Sequence, residues 1–328
     1  MSKEANKNIR KTSVGGQALI EGIMMQGPKG AAMAVRTPNG SIDIQSMPVS
    51  HLKDKFKPAG FPLIRGIVNF IESMIFGYKC MTKSAEIAGL DDDTENPEEM
   101  SKLDKWLSEH FGPKMMAVIS AIALVLGFCL AFVLFFWLPS FLVDKVDGLL
   151  LNNALKDIHP LFEGIMRMFI FVLYMYLVSK MKDIKRVFMY HGAEHKTIFC
   201  YEHGKELTVE NVKKQSRFHP RCGTSFIFVI LIISILVSSL IVVIFPGIDK
   251  VRIVWMGVKL LILPVTVGLG YEFIRYAGKH ENLLVKILSA PGLWMQRITT
   301  QEPTDDIIEV GIESLKAVIT DNPEDDTL

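Results

Sequence analysis

Half of the chain's histidines lie in one short segment. Four of the eight fall within residues 191–219, where an even distribution would place fewer than one. The first two, His191 and His195, form an HxxEH pattern with Glu194. Residues four apart share one face of a helix, so both imidazoles can reach the same cation. Glu194 would then orient or deprotonate a metal-bound water, as in the inverted zinc-protease motif.

The same segment offers further ligands. His219 and Cys222 lie three residues apart, and Cys200 and His203 form another possible pair. A borderline-soft ion such as Zn²⁺ favours imidazole and thiolate ligands.

The pattern leaves three interpretations open. His191, His195, His219 and Cys222 together would make a closed, structural tetrahedral site. Two histidines, one further ligand and a water would make a catalytic site. Without a metal, the segment would be a polar helix at the membrane surface whose histidines bond to carboxylates and backbone.

The elements that carry this segment belong to a membrane protein. The chain has 328 residues, a formal charge of +1 and 49% hydrophobic residues, which excludes a disordered chain and binding to nucleic acid through bulk charge. Residues 116–138 and 226–248 contain no charged side chain, and each is longer than the ~20 residues that cross a bilayer as a helix. Weaker apolar segments at 164–179 and 253–271 complete four predicted spans.

Two basic residues lie inside the weaker segments. Arg167 either faces a protein interior or extends to an interface. Lys259 is nearer mid-span and requires a partner, for which Glu163 and Glu272 are the candidates.

Basic residues in the loops predict the orientation. Residues 180–225 hold ten Lys and Arg against five acidic residues, whereas each of the other two inter-span loops holds two basic residues. The positive-inside rule therefore places this segment and both termini in the cytosol. Its net charge of +5 favours contact with anionic phospholipid headgroups.

The first 60 residues have the pattern of a β-structure. Residues 31–36 and 41–46 flank Pro38-Asn39-Gly40, a strong hairpin turn. Glu21, within an apolar stretch, is either an outward-facing strand residue or a group that packs onto the central segment as third metal ligand or as partner of a histidine.

Residues 61–77 carry a helical apolar stripe, which predicts an interfacial or re-entrant helix rather than a fifth span. A helix facing the core of a cytosolic domain is the alternative. Residues 283–298 are a second candidate of this kind, and the acidic segment 91–104 and the tail from Asp321 are predicted to be solvated.

The predicted fold is therefore a mainly α membrane protein with about four transmembrane helices, interfacial helices and a small N-terminal cytosolic β-subdomain. Its predicted segments are the β-subdomain (1–60), the interfacial or re-entrant helix (61–90), an acidic linker (91–114), transmembrane helices at 115–138, 161–181, 226–248 and 252–274, a basic His-rich cytosolic loop (182–225) and a C-terminal cytosolic segment with an acidic tail (275–328).

Several sequence blocks resemble the YqhQ-like bacterial membrane proteins, a family of unknown function often labelled as predicted metal-dependent enzymes. These blocks are GGQALIEGIMM at 15–25, HGAEHK at 191–196, HPRCGTS at 219–225, Tyr271-Glu272 and PGLWMQRITT at 291–300. The resemblance runs from about residue 13 to 303. It implies a multi-pass protein of the bacterial plasma membrane and adds Gln17, Glu21, Arg221 and Glu272 to the candidate site residues.

Two functions follow as expectations. In the first, a zinc-dependent hydrolase at the membrane surface uses Glu194 as general base and binds Zn²⁺ through His191, His195 and a third ligand. In the second, a membrane scaffold or assembly and insertion factor carries a structural metal or a hydrogen-bonded histidine cluster. Both would contact the lipid bilayer and a possible protein partner within it, and no nucleic acid is expected.

Overall fold

The computed structural model describes residues 10–49, 52, 56–90, 113–150, 155, 158–280, 282–320 and 322–326. The predicted acidic segment at 91–104 lies outside these residues, as does Asp321 at the start of the predicted acidic tail.

Four strands and ten α-helices form the described part of the chain. The strands are β1 (Gly15–Leu19), β2 (Gly22–Gly27), β3 (Gly30–Arg36) and β4 (Ile42–Met47). The helices are α1 (Ile64–Ile87), α2 (Pro113–Phe132), α3 (Leu138–Leu150), α4 (His159–Val178), α5 (Lys182–Glu202), α6 (Val209–Lys213), α7 (Gly223–Ile244), α8 (Arg252–Lys279), α9 (Leu283–Thr299) and α10 (Asp305–Val318).

The N-terminal strands form an antiparallel sheet in the order β1-β2-β3-β4. Arg36 pairs with Ile42 across the Pro38-Asn39-Gly40 turn, which confirms the predicted hairpin. Gly40 has a φ of 82°, a conformation that glycine adopts without steric cost.

The chain divides into two compact units. The first comprises Met1–Asp91, Met175–Ile233 and Leu263–Leu328, and the second comprises Asp92–Tyr174 and Ser234–Ile262.

In the first unit, both faces of the sheet are covered. Ile23 and Met25 on one face belong to a core cluster shared with α5 and α10. Met24 and Met33 on the other face pack with Cys80 and Phe76 of α1. Coverage on both faces explains why β2 and β3 contain continuous apolar runs instead of alternating polar residues.

Helix α10 is a core element that the sequence patterns did not predict. It lies within the segment that the sequence analysis placed only as a cytosolic C-terminal region, yet Ile307, Ile308 and Leu315 are fully buried. Ser314 Oγ donates a hydrogen bond of 2.9 Å to the carbonyl of Ile23, which attaches the helix to the central strand β2.

Four helical segments of the described chain are long and apolar enough to cross a membrane: Ala121–Leu149, His159–Val178, Gly223–Ile244 and Arg252–Ala277. The first continues through a π-helical turn, Val133–Trp137, and extends beyond the predicted end at residue 138. The predicted fold class, a mainly helical membrane protein with four candidate spans and a small N-terminal sheet, is confirmed.

The second unit contains a buried ionic cluster. Glu163 Oε1 accepts hydrogen bonds from Arg167 (2.9 Å) and from Lys259 (2.5 Å), and its Oε2 accepts one from Trp255 Nε1 (3.0 Å). Arg167 Nε also donates to the carbonyl of Phe135 in the π-helical turn. Arg167 therefore faces the protein interior, and Glu163 is the partner of Lys259.

Candidate functional site

The HxxEH sequence lies in α5, in the segment that the sequence analysis described as a loop. The ring centroids of His191 and His195 are 4.4 Å apart, as the four-residue spacing predicts for one helix face. Gly192, between them, permits the chain to pass close by, because a Cβ atom there would overlap the carbonyl oxygen of Gln301. The glycine is thus compatible with a regular helix and allows the segment after α9 to reach the histidines.

Cys222 joins the two histidines from the turn before α7. Its Sγ lies 3.2 Å from His191 Nε2. The ligand atoms of His191, His195 and Cys222 all lie within 4.8 Å of one another. The structure thus brings together residues from two separate elements into a set of two imidazoles and one thiol.

Two backbone carbonyls fix the orientation of the imidazoles. His191 Nδ1 lies 2.9 Å from the carbonyl of Thr299, and His195 Nδ1 lies 2.6 Å from the carbonyl of Arg217. A carbonyl only accepts, so each Nδ1 carries the proton and each Nε2 presents a lone pair. His195 Nε2 is buried and has no hydrogen-bond partner among the described residues. Metal-binding histidines have this arrangement, in which one nitrogen donates to a carbonyl and the other coordinates.

The protonation states also suit metal binding. Burial lowers the pKa of His195 below its ordinary value, which keeps the imidazole neutral near pH 7. Burial opposes ionisation of the Cys222 thiol, but the neighbouring His195 and the Thr224 hydroxyl, which donates to Sγ, outweigh burial, so the pKa of Cys222 is lower than usual. Metal ligands must be neutral imidazoles and thiolates, and the three residues therefore fit a transition metal.

Glu194 lies beside this set without belonging to it. Burial raises the pKa of its carboxyl to about 7, partly offset by the neighbouring His191. Gly16 of β1 packs directly on the side chain, and a Cβ atom there would lie 3.1 Å from Glu194 Cδ and 2.7 Å from the Met24 carbonyl oxygen. The backbone N–H of Gly16 donates a hydrogen bond to the Glu194 carboxylate. A carboxyl group with a pKa near neutrality suits proton transfer.

His219 lies near His195, with ring centroids 5.6 Å apart, but its nitrogens face other groups. Its Nδ1 accepts from the backbone N–H of Arg221, and its Nε2 lies 3.5 Å from Glu202 Oε2. The structure therefore places His219 outside the set of three, contrary to the closed four-ligand site considered from the sequence.

Glu202 is the centre of a second polar cluster. Its carboxylate accepts from the side chain of Arg221 and from both the backbone N–H and the hydroxyl of Thr12, at 3.1 and 3.0 Å. Burial alone would raise its pKa, but His219 and Arg221 outweigh burial and lower it to about 2. The cluster attaches the N-terminal segment to the end of α5.

Gln296 fixes the backbone of His219. Its Oε1 accepts from the His219 N–H at 2.7 Å, and its Nε2 donates to the His219 carbonyl at 2.8 Å. No sequence pattern predicted a role for Gln296, Glu202 or Thr12. Gln296 lies within the PGLWMQRITT block, which was the one available signal.

The remaining candidate residues lie elsewhere. Glu21 has a φ of 50° in the turn between β1 and β2, where it pairs with Arg186 and accepts from Tyr190 Oη at 3.1 Å. It is thus neither a strand residue nor a member of the metal-ligand set.

The others have structural contacts. Gln17 packs against Gly77 of α1, Cys200 Sγ lies 3.5 Å from the carbonyl of Glu206, and Glu272 pairs with Arg65. His203 is exposed, and its Nδ1 bonds to the carbonyl of Phe199 in its own helix.

Comparisons with known proteins identify the family of this chain. A family model described as "Protein of unknown function (DUF1385)" matches residues 61–321, a range that includes His191, His195 and Cys222. Over 309 residues the chain is 36% identical to the uncharacterized protein YqhQ of Bacillus subtilis (strain 168), which covers 93% of this chain and 92% of that protein. No solved structure matches the chain. The resemblance predicted from the sequence blocks is confirmed, and the chain belongs to the DUF1385 family of YqhQ-like membrane proteins.

Proposed function

We propose that His191, His195 and Cys222 bind a transition metal ion such as Zn²⁺ and that the protein is a metal-dependent hydrolase at the cytosolic surface of the bacterial plasma membrane. One observation carries this proposal: three ligand atoms within 4.8 Å, contributed by two imidazoles oriented by carbonyls and by one thiol. Catalytic zinc sites typically have three protein ligands and an open position, whereas structural sites have four.

Each group then has a defined task. A metal held by His191, His195 and Cys222 would supply Lewis acidity towards a carbonyl or phosphoryl oxygen of the substrate. The Glu194 carboxylate accepts a proton from the attacking water and returns it to the leaving group. The Thr299 and Arg217 carbonyls maintain the orientation of the imidazoles.

We propose anionic phospholipid headgroups as the partner at the membrane surface. Fewer basic residues are free to contact them than the sequence predicts. Several basic residues of the central segment form ion pairs within the protein, including Arg186 with Glu21 and Lys196 with Glu302. Lys180, Lys182 and Lys185 are exposed directly after the candidate span that ends at Val178. These three lysines are where we expect contact with anionic headgroups.

Metal content tests the proposal. The protein purified in detergent is expected to contain about one equivalent of metal by elemental mass spectrometry, and Cys222→Ser and His191→Ala are expected to lose it. His203→Ala is the matched control, because His203 is an exposed histidine of the same helix region outside the ligand set. Substoichiometric metal in the parent protein, or equal loss in His203→Ala, would contradict the site.

A second variant separates catalysis from structure. Glu194→Gln is expected to retain metal but to fail to complement a strain that lacks the gene. If Glu194→Gln complements fully while His191→Ala loses both metal and folded protein, the site is structural and the scaffold function is supported instead.

A further inference from the structure

Helix α1 exposes its apolar stripe instead of burying it. Met74 is 61% exposed and Tyr78 is 74% exposed, and the other large apolar side chains on this outward face are Ile64, Ile71 and Ile75. Phe61 and Leu63 are also exposed, just before the helix begins. The opposite face, with Gly66, Gly77 and Cys80, is buried against protein. A water-soluble helix would bury the apolar face, so this arrangement requires an apolar solvent.

The N-terminal half of α1 packs against the membrane-spanning helix α8. A Cβ atom on Gly66 would lie 3.0 Å from the Cα of Gly268, and one on Gly268 would lie 2.8 Å from the carbonyl oxygen of Leu63. Close backbone packing through glycine is characteristic of helices in membranes.

The position of this contact along α8 gives its depth. Gly268 lies nine residues before Ala277, the end of the candidate span, which corresponds to about 14 Å along the helix axis. Half of a hydrocarbon core is about 15 Å thick. The start of α1 is thus level with a part of α8 that lies inside the candidate span and not beyond its end.

Polar groups at this end of α1 are satisfied by α8. Arg65 forms a two-pronged ion pair with Glu272, and the same carboxylate accepts a long hydrogen bond of 3.4 Å from the N–H of Leu63. Asn69 Nδ2 donates to Tyr271 Oη at 2.7 Å. The first N–H groups of α1, at residues 64–67, bond to carbonyls of residues 61–63. The positive end of the helix and the N–H of Leu63 would still be costly in hydrocarbon, and Glu272 compensates both.

The C-terminal half of α1 is more polar and packs against the β-sheet. Lys79 is exposed and Lys83 is partly exposed and paired with Glu86, while Cys80 packs in the core cluster under the sheet. Between Gly66 and Tyr78 the only charged residue is Glu72.

We propose that α1 is a re-entrant element. Its N-terminal half lies in the acyl chains of the leaflet next to the β-sheet, and the helix leaves the hydrocarbon between Glu72 and Tyr78. Helix α8 of the same unit also exposes apolar side chains, among them Leu263 and Val265. The exposed face of α1 continues this lipid-facing surface, and acyl chains are therefore the partner that contacts α1. The inference is independent of metal binding and resolves the choice between a surface helix, a re-entrant helix and a span.

Nitroxide depth measurements in proteoliposomes test the proposal. Single cysteines replace Ile64, Ile71, Ile75 and Lys83 in turn, each in a background with Cys129→Ala that keeps the cysteines of the first unit. The ratio of oxygen to chelated-nickel accessibility is expected to fall steadily from position 64 to position 83. Label at position 64 is expected to lie deepest among the four positions, and label at 83 in water.

Each alternative gives a different profile. Equal depths at 64, 71 and 75 would indicate a helix lying on the surface and would overturn the proposal. A maximum at 71 with both ends in water would indicate a fifth span, and low accessibility to both reagents throughout would indicate a protein-covered face. The control is the Cys129→Ala protein without an added cysteine, labelled in the same way, which measures the signal from the remaining native thiols. If Ile64→Cys fails to fold, Phe61→Cys replaces it.

Discussion

Glu202 shows how one carboxylate can bind separate parts of the chain together. Its side chain is 2% exposed, and it accepts hydrogen bonds from Thr12 and Arg221 while facing His219. The pKa of Glu202 is about 2, against an ordinary value of 4.5, which means that the folded protein stabilises the ionised form of this carboxyl group.

The sign of this shift determines a pH dependence. The contribution of Glu202 to stability is complete above pH 4.5 and is lost as the pH falls from 4.5 towards 2. A shift of this size corresponds to about 3 kcal/mol of stability at neutral pH. Glu202→Gln is therefore expected to unfold at a lower temperature than the parent protein at pH 7, with the difference shrinking in acid. The exposed Glu206→Gln serves as control, and a pH-independent difference would contradict the assignment.

The space at Gly192 does not admit a side chain. Gly192→Ala would push a methyl group against the backbone carbonyl of Gln301, which cannot move without displacing the Thr299 carbonyl from His191. We expect a destabilisation of about 1–3 kcal/mol and loss of metal, measured by thermal unfolding and metal content. Gly127→Ala is the matched control, because a Cβ there meets nothing within 4 Å. Equal behaviour of both variants would show that the close approach is unimportant.

At the scale of elements, α10 completes the core of the first unit. It covers the same face of the sheet as α5, so its apolar side chains are buried although the helix lies near the C-terminus. Leu315→Ala is expected to lower the free energy of unfolding by about 2–5 kcal/mol, because Leu315 is fully buried. Lys316→Ala, on the neighbouring exposed position, should have little effect in the same unfolding measurement. A small effect of both substitutions would mean that α10 is dispensable for the core.

The helices of the second unit are connected by one buried carboxylate. Glu163→Gln would leave Arg167 and Lys259 as unneutralised buried cations, and we expect it to be strongly destabilising in detergent, by about 3–5 kcal/mol. Glu163→Gln combined with Lys259→Met removes one of these cations and should recover part of the loss. Failure of the double variant to improve on the single one would argue against the ion cluster as the cause.

At the scale of the whole molecule, the distribution of basic residues makes the orientation testable. The central segment holds ten Lys and Arg, whereas the connection from α7 to α8 has Lys250 in the loop and Arg252 at the start of α8. A fluorescent protein fused after residue 328 is therefore expected to be fluorescent in the cytosol, and alkaline phosphatase inserted after Asp249 is expected to be active outside it. The reverse pattern would invert the proposed topology.

The sequence alone determined the class of protein, because uncharged stretches of 20 or more residues have few alternatives to crossing a membrane. It also identified the β3–β4 hairpin from its turn residues and located His191, His195 and Cys222 from their clustering. Local chemistry decides these features, and local patterns therefore reveal them.

Only the tertiary structure decided which of the clustered residues meet. His219 and Cys222 are three residues apart, yet one faces Glu202 and the other faces His191, which lie at different positions along α5. Gln296 of α9 holds the backbone of His219 in this position. The carbonyls of Thr299 and Arg217 that orient the histidines belong to distant segments, and backbone groups carry no side-chain signal. The apolar stripe of α1 was visible in the sequence, but the stripe pattern is the same whether it faces a protein core or lipid. Its packing on Gly268 of α8 distinguishes these environments, because long-range contacts set the depth of a helix and periodicity does not.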